Sequence, residues 1–138
     1  MTQSSITRLQ VCDKLRIQHT ADLFGIRFSL NIEPAIYSIA SDIATEYNGA
    51  YWEFYALNNG GFYMAPVSKQ SYQVSCENGY VGQLSADALG ITACLYAYSH
   101  LSFSSDQSFA KISANQYHWL REYMLQHLEA SRILGAID

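Results

Sequence analysis

The sequence predicts an α+β fold in which three main helices pack on a small antiparallel sheet of three or four strands. An apolar stripe with helical spacing from Ile32 to Tyr47 indicates one helix. Aromatic residues concentrated from Tyr51 to Pro66 indicate strands joined by a tight turn. A segment without charged residues from Ala88 to Ser105 indicates a buried helix. With 138 residues, the chain is expected to form one domain.

The N-terminal third is assigned a short strand, a short helix and one long helix. Ile6 to Val11 alternates weakly in hydropathy, as a strand does, and Thr20 to Phe24 is predicted to form a helix that Gly25 ends. The long helix is predicted from Ile32 to Tyr47, because the following Asn48-Gly49 pair suits a left-handed helix cap.

The central segment is predicted to form a meander of three antiparallel strands. Tyr51 to Leu57 is rich in aromatic residues, which strands prefer. Asn58-Asn59-Gly60-Gly61 supplies residues that tolerate the positive φ angles of tight hairpins. Phe62 to Ala65 then returns as the second strand and Ser71 to Cys76 forms the third, because short connections favour antiparallel neighbours.

Two further helices are predicted in the C-terminal half. Ser85 is the expected N-cap of a helix that runs to about Leu101. This segment is interrupted by Ser, Thr, Gly and His, so a core helix is favoured over a membrane span. The run from Ser113 to Gln116 is assigned as the capping box of the last helix.

Composition disfavours several functional classes. Hydrophobic residues make up 49% of the chain and charged residues 14%, a balance that favours a buried core over disorder. The formal net charge of −4 argues against a general nucleic-acid binder, which usually carries a basic stripe. The cysteines Cys12, Cys76 and Cys94 are widely spaced and form no C-x-x-C pair, so we expect reduced thiols in a cytoplasmic protein.

No set of residues predicts a catalytic, cofactor or metal site. Cys94 and His100 are six residues apart and would lie on different faces of one helix. His118 and Glu122 are four residues apart, but a metal site would need a third ligand. A small thiol-dependent enzyme that uses Cys76 with a histidine from elsewhere stays open as an alternative.

The first strand of the hairpin offers a candidate partner-binding surface. Because side chains alternate along a strand, Tyr51, Glu53 and Tyr55 are predicted to face outward, and we call these three residues the tyrosine face. Tyrosine buries apolar area and keeps a polar end, which suits protein interfaces, although the rings could equally line the core. Glu53 is expected to contribute little to stability. The full candidate set is Tyr51, Glu53, Tyr55, Asn58, Asn59 and Tyr63.

The number of carboxylates argues against mimicry of DNA. A helix from Ile32 to Tyr47 would be about 24 Å long, and matching the charge of DNA over that length would need about 14 charges. The helix offers Glu33, Asp42 and Glu46, and the whole chain has 12 acidic residues against 8 basic ones. Asp42 and Glu46 are interpreted as a solvated helix face.

One aromatic-rich run reads Tyr51-Trp52-Glu53-Phe54-Tyr55 and continues from Asn59 to Pro66 as Asn-Gly-Gly-Phe-Tyr-Met-Ala-Pro. This run resembles the signature of the ArdB/KlcA antirestriction family. Leu23-Phe24-Gly25 and the segment from Ser85 to Leu101 are further points of resemblance.

The resemblance implies that residues 1–138 are a single antirestriction domain that relieves type I restriction of incoming unmodified DNA. The expected partner is a type I restriction-modification enzyme or a host factor linked to it. No strong DNA binding, membrane attachment, small-molecule substrate or cofactor is expected, and the function is expected to be non-enzymatic. A nucleic-acid-associated regulator that protects DNA indirectly is the runner-up.

Overall fold

The computed structural model describes residues 5–138 and has the α+β fold that the sequence predicts. In chain order the elements are β1 (Arg8–Gln10), a 3₁₀ turn (Asp13–Leu15), α1 (Arg16–Phe24), a π-helical turn (Phe28–Ile32), α2 (Glu33–Ile43), β2 (Trp52–Leu57), β3 (Phe62–Pro66), β4 (Ser71–Ser75), β5 (Val81–Ser85), α3 (Ala86–Leu101), α4 (Gln107–Met124) and α5 (Ala130–Ile137).

Helix α3 lies at the centre of the core. The hydroxyl of Ser85 accepts a hydrogen bond from the N–H of Ala88 at 3.1 Å, so the predicted N-cap is confirmed. Helices α2, α4 and α5 and strand β3 pack around α3, which explains its uncharged sequence. Gly90 permits the close approach to β3, because a Cβ there would clash with Ala65. Among the helices within residues 5–138, none has the length and apolarity to cross a bilayer.

The strands form two separate antiparallel sheets. The larger sheet has the order β1-β2-β3, and β4 pairs with β5 as a second sheet. The predicted meander was therefore wrong in its third strand, since β4 does not pair with β3. The exposed residues 67–70 carry the chain away after Pro66, and the tight turn at Gly79 then gives β4 a local partner that the sequence analysis had not assigned.

Two helix boundaries near the N-terminus differ from the predicted ones. Helix α1 begins at Arg16, four residues earlier than expected. Helix α2 ends at Ile43 because Ala44 adopts an extended conformation and forms a bridge with Val74. The short strand predicted near Ile6 is confirmed in its core as β1.

The last predicted helix begins earlier than its predicted capping box. Asp106 is the N-cap of α4 and accepts a hydrogen bond from the N–H of Phe109 at 3.3 Å. Ser113 is instead buried in the middle of this helix. The chain leaves α4 after Met124 and forms the separate helix α5, and Leu128, which lies between these two helices, is fully exposed.

Candidate functional site

The six predicted partner-binding residues lie on the β2–β3 hairpin at different depths. The side chain of Tyr51 is 54% exposed, whereas Tyr63 has no exposed area and cannot touch a partner directly. The exposure of the tyrosine face is partial, because N-terminal residues cover it. The remaining members divide into one exposed residue, Asn58, and three half-buried residues, Glu53, Tyr55 and Asn59.

Strand β1 brings Arg8 onto the tyrosine face. The strand register pairs Gln10 with Tyr55. Arg8 is two residues before Gln10 and therefore lies on the same face of β1, within reach of the Tyr55 ring. The guanidinium carbon of Arg8 lies 4.1 Å from the ring centroid of Tyr55, which is a cation–π contact. Its Nη1 also donates to the hydroxyl of Tyr63 at 2.7 Å and to Oδ1 of Asp87 at 2.8 Å. This one cation therefore joins the outer face of the sheet to the start of α3.

Asp87 is the centre of a polar network beneath the tyrosine face. Its carboxylate accepts from the hydroxyl of Tyr63 at 2.8 Å and faces Nε2 of His127 at 2.9 Å. Burial disfavours ionisation, but the hydrogen bonds from His127 and Tyr63 and the charge of Arg8 outweigh it, so the pKa of Asp87 lies below its ordinary value. Burial and the adjacent carboxylate raise the pKa of Tyr63, so its hydroxyl remains protonated.

His127 is engaged at both ring nitrogens. Nδ1 accepts from the backbone N–H of Glu129 at 3.0 Å, so a neutral ring carries its proton on Nε2 and donates it to Asp87. Glu129 in turn accepts from the N–H and hydroxyl of Ser85. The arrangement orients side chains and leaves no free ring nitrogen to act as a general base. Within residues 5–138, His, Cys, Asp and Glu side chains form no group of three or more suited to holding a metal ion.

Arg16 covers the other end of the tyrosine face. Its Nη2 lies 3.1 Å from Oε2 of Glu53, and its Nε lies 3.3 Å from Oδ1 of Asp13. Its guanidinium carbon lies 5.0 Å from the ring centroid of Tyr51. A hydrogen bond from the Tyr51 hydroxyl to Asp13, at 2.8 Å, raises the pKa of Tyr51. Glu53 is thus a half-buried ion-pair partner of Arg16 and not a freely solvated side chain, and its contribution to stability stays a prediction.

The charge of the tyrosine face differs from that of the hairpin alone. The hairpin contributes no Lys or Arg, and the N-terminal segment adds two arginines to this face. Arg8 is paired with Asp87, and Arg16 is paired with Glu53 and Asp13. Because carboxylates offset both cations, the face offers no excess positive charge to a nucleic-acid backbone.

Asn58 and Asn59 have structural roles in the hairpin turn. Oδ1 of Asn58 accepts from the N–H of Thr7 at 3.0 Å and fixes the N-terminal segment. Oδ1 of Asn59 accepts from the N–H of Gly61 at 3.0 Å, and its Nδ2 donates to the carbonyl of Trp119 at 2.9 Å. The turn is therefore held against α4, and only Asn58 of the pair is well exposed.

The two buried thiols lack the environment of a nucleophile. Burial raises the pKa of Cys76, and a hydrogen bond with Tyr96 opposes this only in part. Burial raises the pKa of Cys94 to about 12, despite a contact of its Sγ with the carbonyl of Met64. Since the thiolate is the reactive form, neither site is activated. In the described part of the chain, Cys76 forms no hydrogen bond with a histidine.

Comparisons with known proteins agree with this fold. Residues 45–138 match the family model described as "Antirestriction protein". The chain is 36% identical over 135 residues to antirestriction protein KlcA of Escherichia coli, covering 96% of this chain and 95% of KlcA. It is 37% identical over 137 residues to the uncharacterized protein YafX of Escherichia coli strain K12, covering 96% of this chain and 88% of YafX.

A solved structure is also similar over its whole length. The KlcA and ArdB proteins, to which this structure relates, are described as having a novel fold and antirestriction activity against type I DNA restriction systems in vivo but not in vitro. The two chains superimpose with a TM-score of 0.90 at 37% sequence identity, and each is covered completely. The α+β arrangement described above is the fold of that structure.

Proposed function

Because the chain belongs to the antirestriction protein family, we propose that it relieves type I restriction of incoming unmodified DNA in the cytoplasm of its host cell. The observation that carries this proposal is the complete structural match to a protein for which that activity in vivo is described. The match covers the whole described core and both sheets, so it supports the same function more strongly than a shared motif would.

The protein acts by binding a protein and not by catalysis. Both nitrogens of His127 are used within the fold, and the thiols of Cys76 and Cys94 are protonated. Activity in vivo but not in vitro, as described for KlcA and ArdB, favours a partner that a purified reaction lacks. The partner is therefore the type I restriction-modification enzyme in its cellular state, or a host factor linked to that enzyme.

DNA mimicry does not fit the distribution of charge. A mimic must present a dense array of carboxylates that are free of cations. Here the carboxylates of Asp13, Glu53, Asp87 and Asp106 each face an arginine within 3.3 Å. These carboxylates support the fold, so the surface lacks the charge density of DNA.

The tyrosine face and the exposed turn residue Asn58 form the docking surface. Tyr51 offers an exposed ring, and Arg16 and Arg8 hold that ring and Tyr55 in place through cation–π contacts. Rigid aromatic groups beside arginine are typical anchors of protein interfaces. Tyr63 supports this surface from below by stacking on Tyr55 at 5.0 Å.

The direct test is to plate unmodified phage on cells that carry a type I restriction system, with and without this protein. We expect markedly higher plating efficiency with the protein, while DNA modification stays largely intact. Equal plating in cells that contain confirmed soluble protein would reject the function. A titration with duplex DNA at several salt concentrations tests the binding mode, and tight, salt-dependent binding would favour a nucleic-acid-associated regulator instead.

A further inference from the structure

An apolar groove lies between helix α1 and the π-helical turn. It has a volume of about 530 Å³, within the range of about 300–1,000 Å³ usual for ligand pockets. The buried rings of Phe28 and Phe54 line it and pack edge to face with centroids 5.6 Å apart. Ile17 and Ile26 also line it, yet their side chains are 85% and 72% exposed. The groove thus combines a fixed aromatic base with solvent-exposed aliphatic side chains.

Two exposed aliphatic side chains, Ile17 and Ile26, line the same concavity. Leu30, in the adjoining turn, is 62% exposed. Single exposed hydrophobic residues are normal, whereas a group of them at a concavity marks an interaction site. Gly25 also lines the groove, and no atom lies within 4 Å of the position of an added Cβ there.

The backbone beside the groove has an uncommon conformation. Phe28–Ile32 is a π-helical turn, a rare geometry that occurs frequently at functional sites. It buries Phe28 and Ile32 and leaves Ser29 and Leu30 at the surface. An ordinary helical turn would distribute these side chains differently, so the π turn shapes the groove.

Arg16 connects the groove to the tyrosine face. It lines the groove and also pairs with Glu53 of the tyrosine face at 3.1 Å. Phe54 lines the groove from the opposite face of strand β2, because neighbouring side chains of a strand alternate. The guanidinium carbon of Arg16 lies 4.4 Å from the ring centroid of Phe54 and 5.0 Å from that of Tyr51, so a partner that covers Arg16 contacts both surfaces.

We propose that this groove receives apolar side chains from an amphipathic helix of the partner protein and so anchors the partner on the tyrosine face. This inference rests on the proposed function. The apolar centre with charged margins, Arg16 and Glu33, is the arrangement found at interface hot spots. Arg16 is neutralised by its carboxylate partners, whereas Glu33 forms no ion pair within residues 5–138. The partner helix therefore carries a Lys or Arg beside its apolar residues.

A second copy of this chain is a poorer occupant. A twofold interface uses the same patch on both subunits, so that patch must be complementary to itself. Two concave grooves facing each other would leave a void, whereas a convex helix fills the concavity. Helix-in-groove binding presents apolar residues at positions i, i+3 and i+4, which form one convex face of the bound helix.

The test uses two exposed positions on the same helix. Ala21→Arg projects a long cation into the groove that Ala21 lines, whereas Gln18→Arg adds the same side chain at an exposed position of α1 that does not line the groove. Ile17→Ser removes an exposed aliphatic side chain from the groove lining and does not bury a polar group. Phage plating, thermal melting and size-exclusion chromatography are measured for each variant. We expect Ala21→Arg and Ile17→Ser to lower relief of restriction by about tenfold or more, with unchanged melting, and Gln18→Arg to behave as wild type.

A second measurement separates failure of the groove from failure of the function. An alanine-rich helical peptide of about 15 residues, with leucines at i, i+3 and i+4 and one lysine, is titrated against the protein by NMR. We expect shifts of the amides of Ala21, Gly25 and Phe28 that are absent with Ala21→Arg and with a peptide of the same composition whose leucines are dispersed.

Each outcome decides the proposal. Full relief of restriction by folded Ala21→Arg overturns the proposal that a partner helix binds in the groove, and leaves the antirestriction function unaffected. If the wild type gives no relief, the proposed function has failed, and the titration then tests helix binding by itself. Shifts of the amides of Ala21, Gly25 and Phe28 support helix binding in the groove, and their absence overturns it. A wild-type dimer that Ala21→Arg converts to a monomer identifies a second copy as the occupant and overturns the proposal of a protein partner.

Discussion

Glu53 is an ion-pair partner within the fold and also a member of the proposed docking surface. Its carboxylate and the guanidinium of Arg16 form an ion pair at 3.1 Å, with side chains that are only 19% and 18% exposed. A cation at position 53 would place two positive charges together in a partly desolvated place, whereas an amide would keep the shape and a hydrogen bond. Substitutions here must therefore be chosen so that stability and binding are separated.

We predict that Glu53→Lys destabilises the protein by about 1–3 kcal/mol, because it replaces attraction to Arg16 with repulsion. Glu53→Gln should cost less than about 1 kcal/mol and should weaken relief of restriction if the carboxylate contacts the partner. Thermal melting and phage plating measure the two effects. A Glu53→Lys protein that melts as wild type would mean that Arg16 does not hold this carboxylate in solution.

Asp87 is ionised within a network of three partners, Arg8, Tyr63 and His127. Its pKa is lower in the folded protein than in the unfolded chain, so its contribution to stability is present above its ordinary pKa and is lost as the pH falls through the folded value. Asp87→Asn should therefore lower the free energy of unfolding at neutral pH by about 1–3 kcal/mol, since the amide removes the charge that pairs with Arg8 and leaves one acceptor oxygen in place of two.

The same variant should also lose stability less steeply with acid. Urea unfolding at about pH 7 and at about pH 3 should show a smaller difference for Asp87→Asn than for wild type, because Asp87 is ionised in both states at neutral pH and protonated in both below the folded value. An equal difference would assign the acid sensitivity to other carboxylates. Asp22→Asn is a suitable control, because Asp22 is exposed and forms no ion pair in the described part of the chain.

At the scale of elements, local signals decided what could be predicted. The cap at Ser85 and the turn at Asn59-Gly60-Gly61 lie within a few residues of the structures they direct, and both were predicted correctly. The pairing of β1 with β2 joins residues about 50 positions apart, and no local pattern encodes it. The separation of β4 into its own sheet has a different origin, because its partner β5 is close in sequence but was not recognised as a strand.

The candidate site shows the same division between local and distant information. Alternation along β2 correctly indicated partial exposure of Tyr51 and Tyr55. Arg8, Arg16 and Asp87 were missed because they reach the hairpin through tertiary contacts. One signal could have found the two arginines, since residues 1–27 are basic overall and residues 28–68 contain acids without Lys or Arg. Opposite charge in two segments of one small domain favours their contact.

The hairpin turn yields a prediction at this scale. Gly60 has φ +101°, which side chains rarely adopt, and the ring of Trp119 would meet an added Cβ at 3.6 Å. Gly60→Val should therefore destabilise the protein by about 1–3 kcal/mol and reduce relief of restriction in proportion to the folded protein that remains. Lys69→Val, in an exposed loop, is the control. Loss of relief with unchanged melting would instead give the turn a direct part in binding.

At the scale of the whole molecule, ion pairs join segments that are distant in sequence. Arg8 and Arg16 link the N-terminal segment to Asp87 and Glu53, and Arg27 pairs with Asp106, the N-cap of α4, at 2.8 Å. These pairs offset the charges that a DNA mimic or a DNA-binding surface would display. The tyrosine face and the groove beside it still expose Tyr51, Ile17 and Ile26, and exposed aromatic and aliphatic side chains suit contact with a protein.

The proposal that the molecule binds a partner and does not catalyse a reaction predicts that its thiols are dispensable. Among the described residues, Cys76 and Cys94 are the buried cysteines, and burial raises the pKa of both, so neither supplies a thiolate near neutral pH. Cys94→Ala should leave a small cavity and cost about 1–2 kcal/mol, and Cys76→Ser should cost a similar amount because its hydroxyl is more strongly hydrated than a thiol. Both variants should still relieve restriction as long as they remain folded, and Cys12→Ser, at an exposed position, serves as the control. Phage plating beside thermal melting measures this, and a Cys76→Ser protein that melts normally but gives no relief would restore the thiol-dependent enzyme as the explanation.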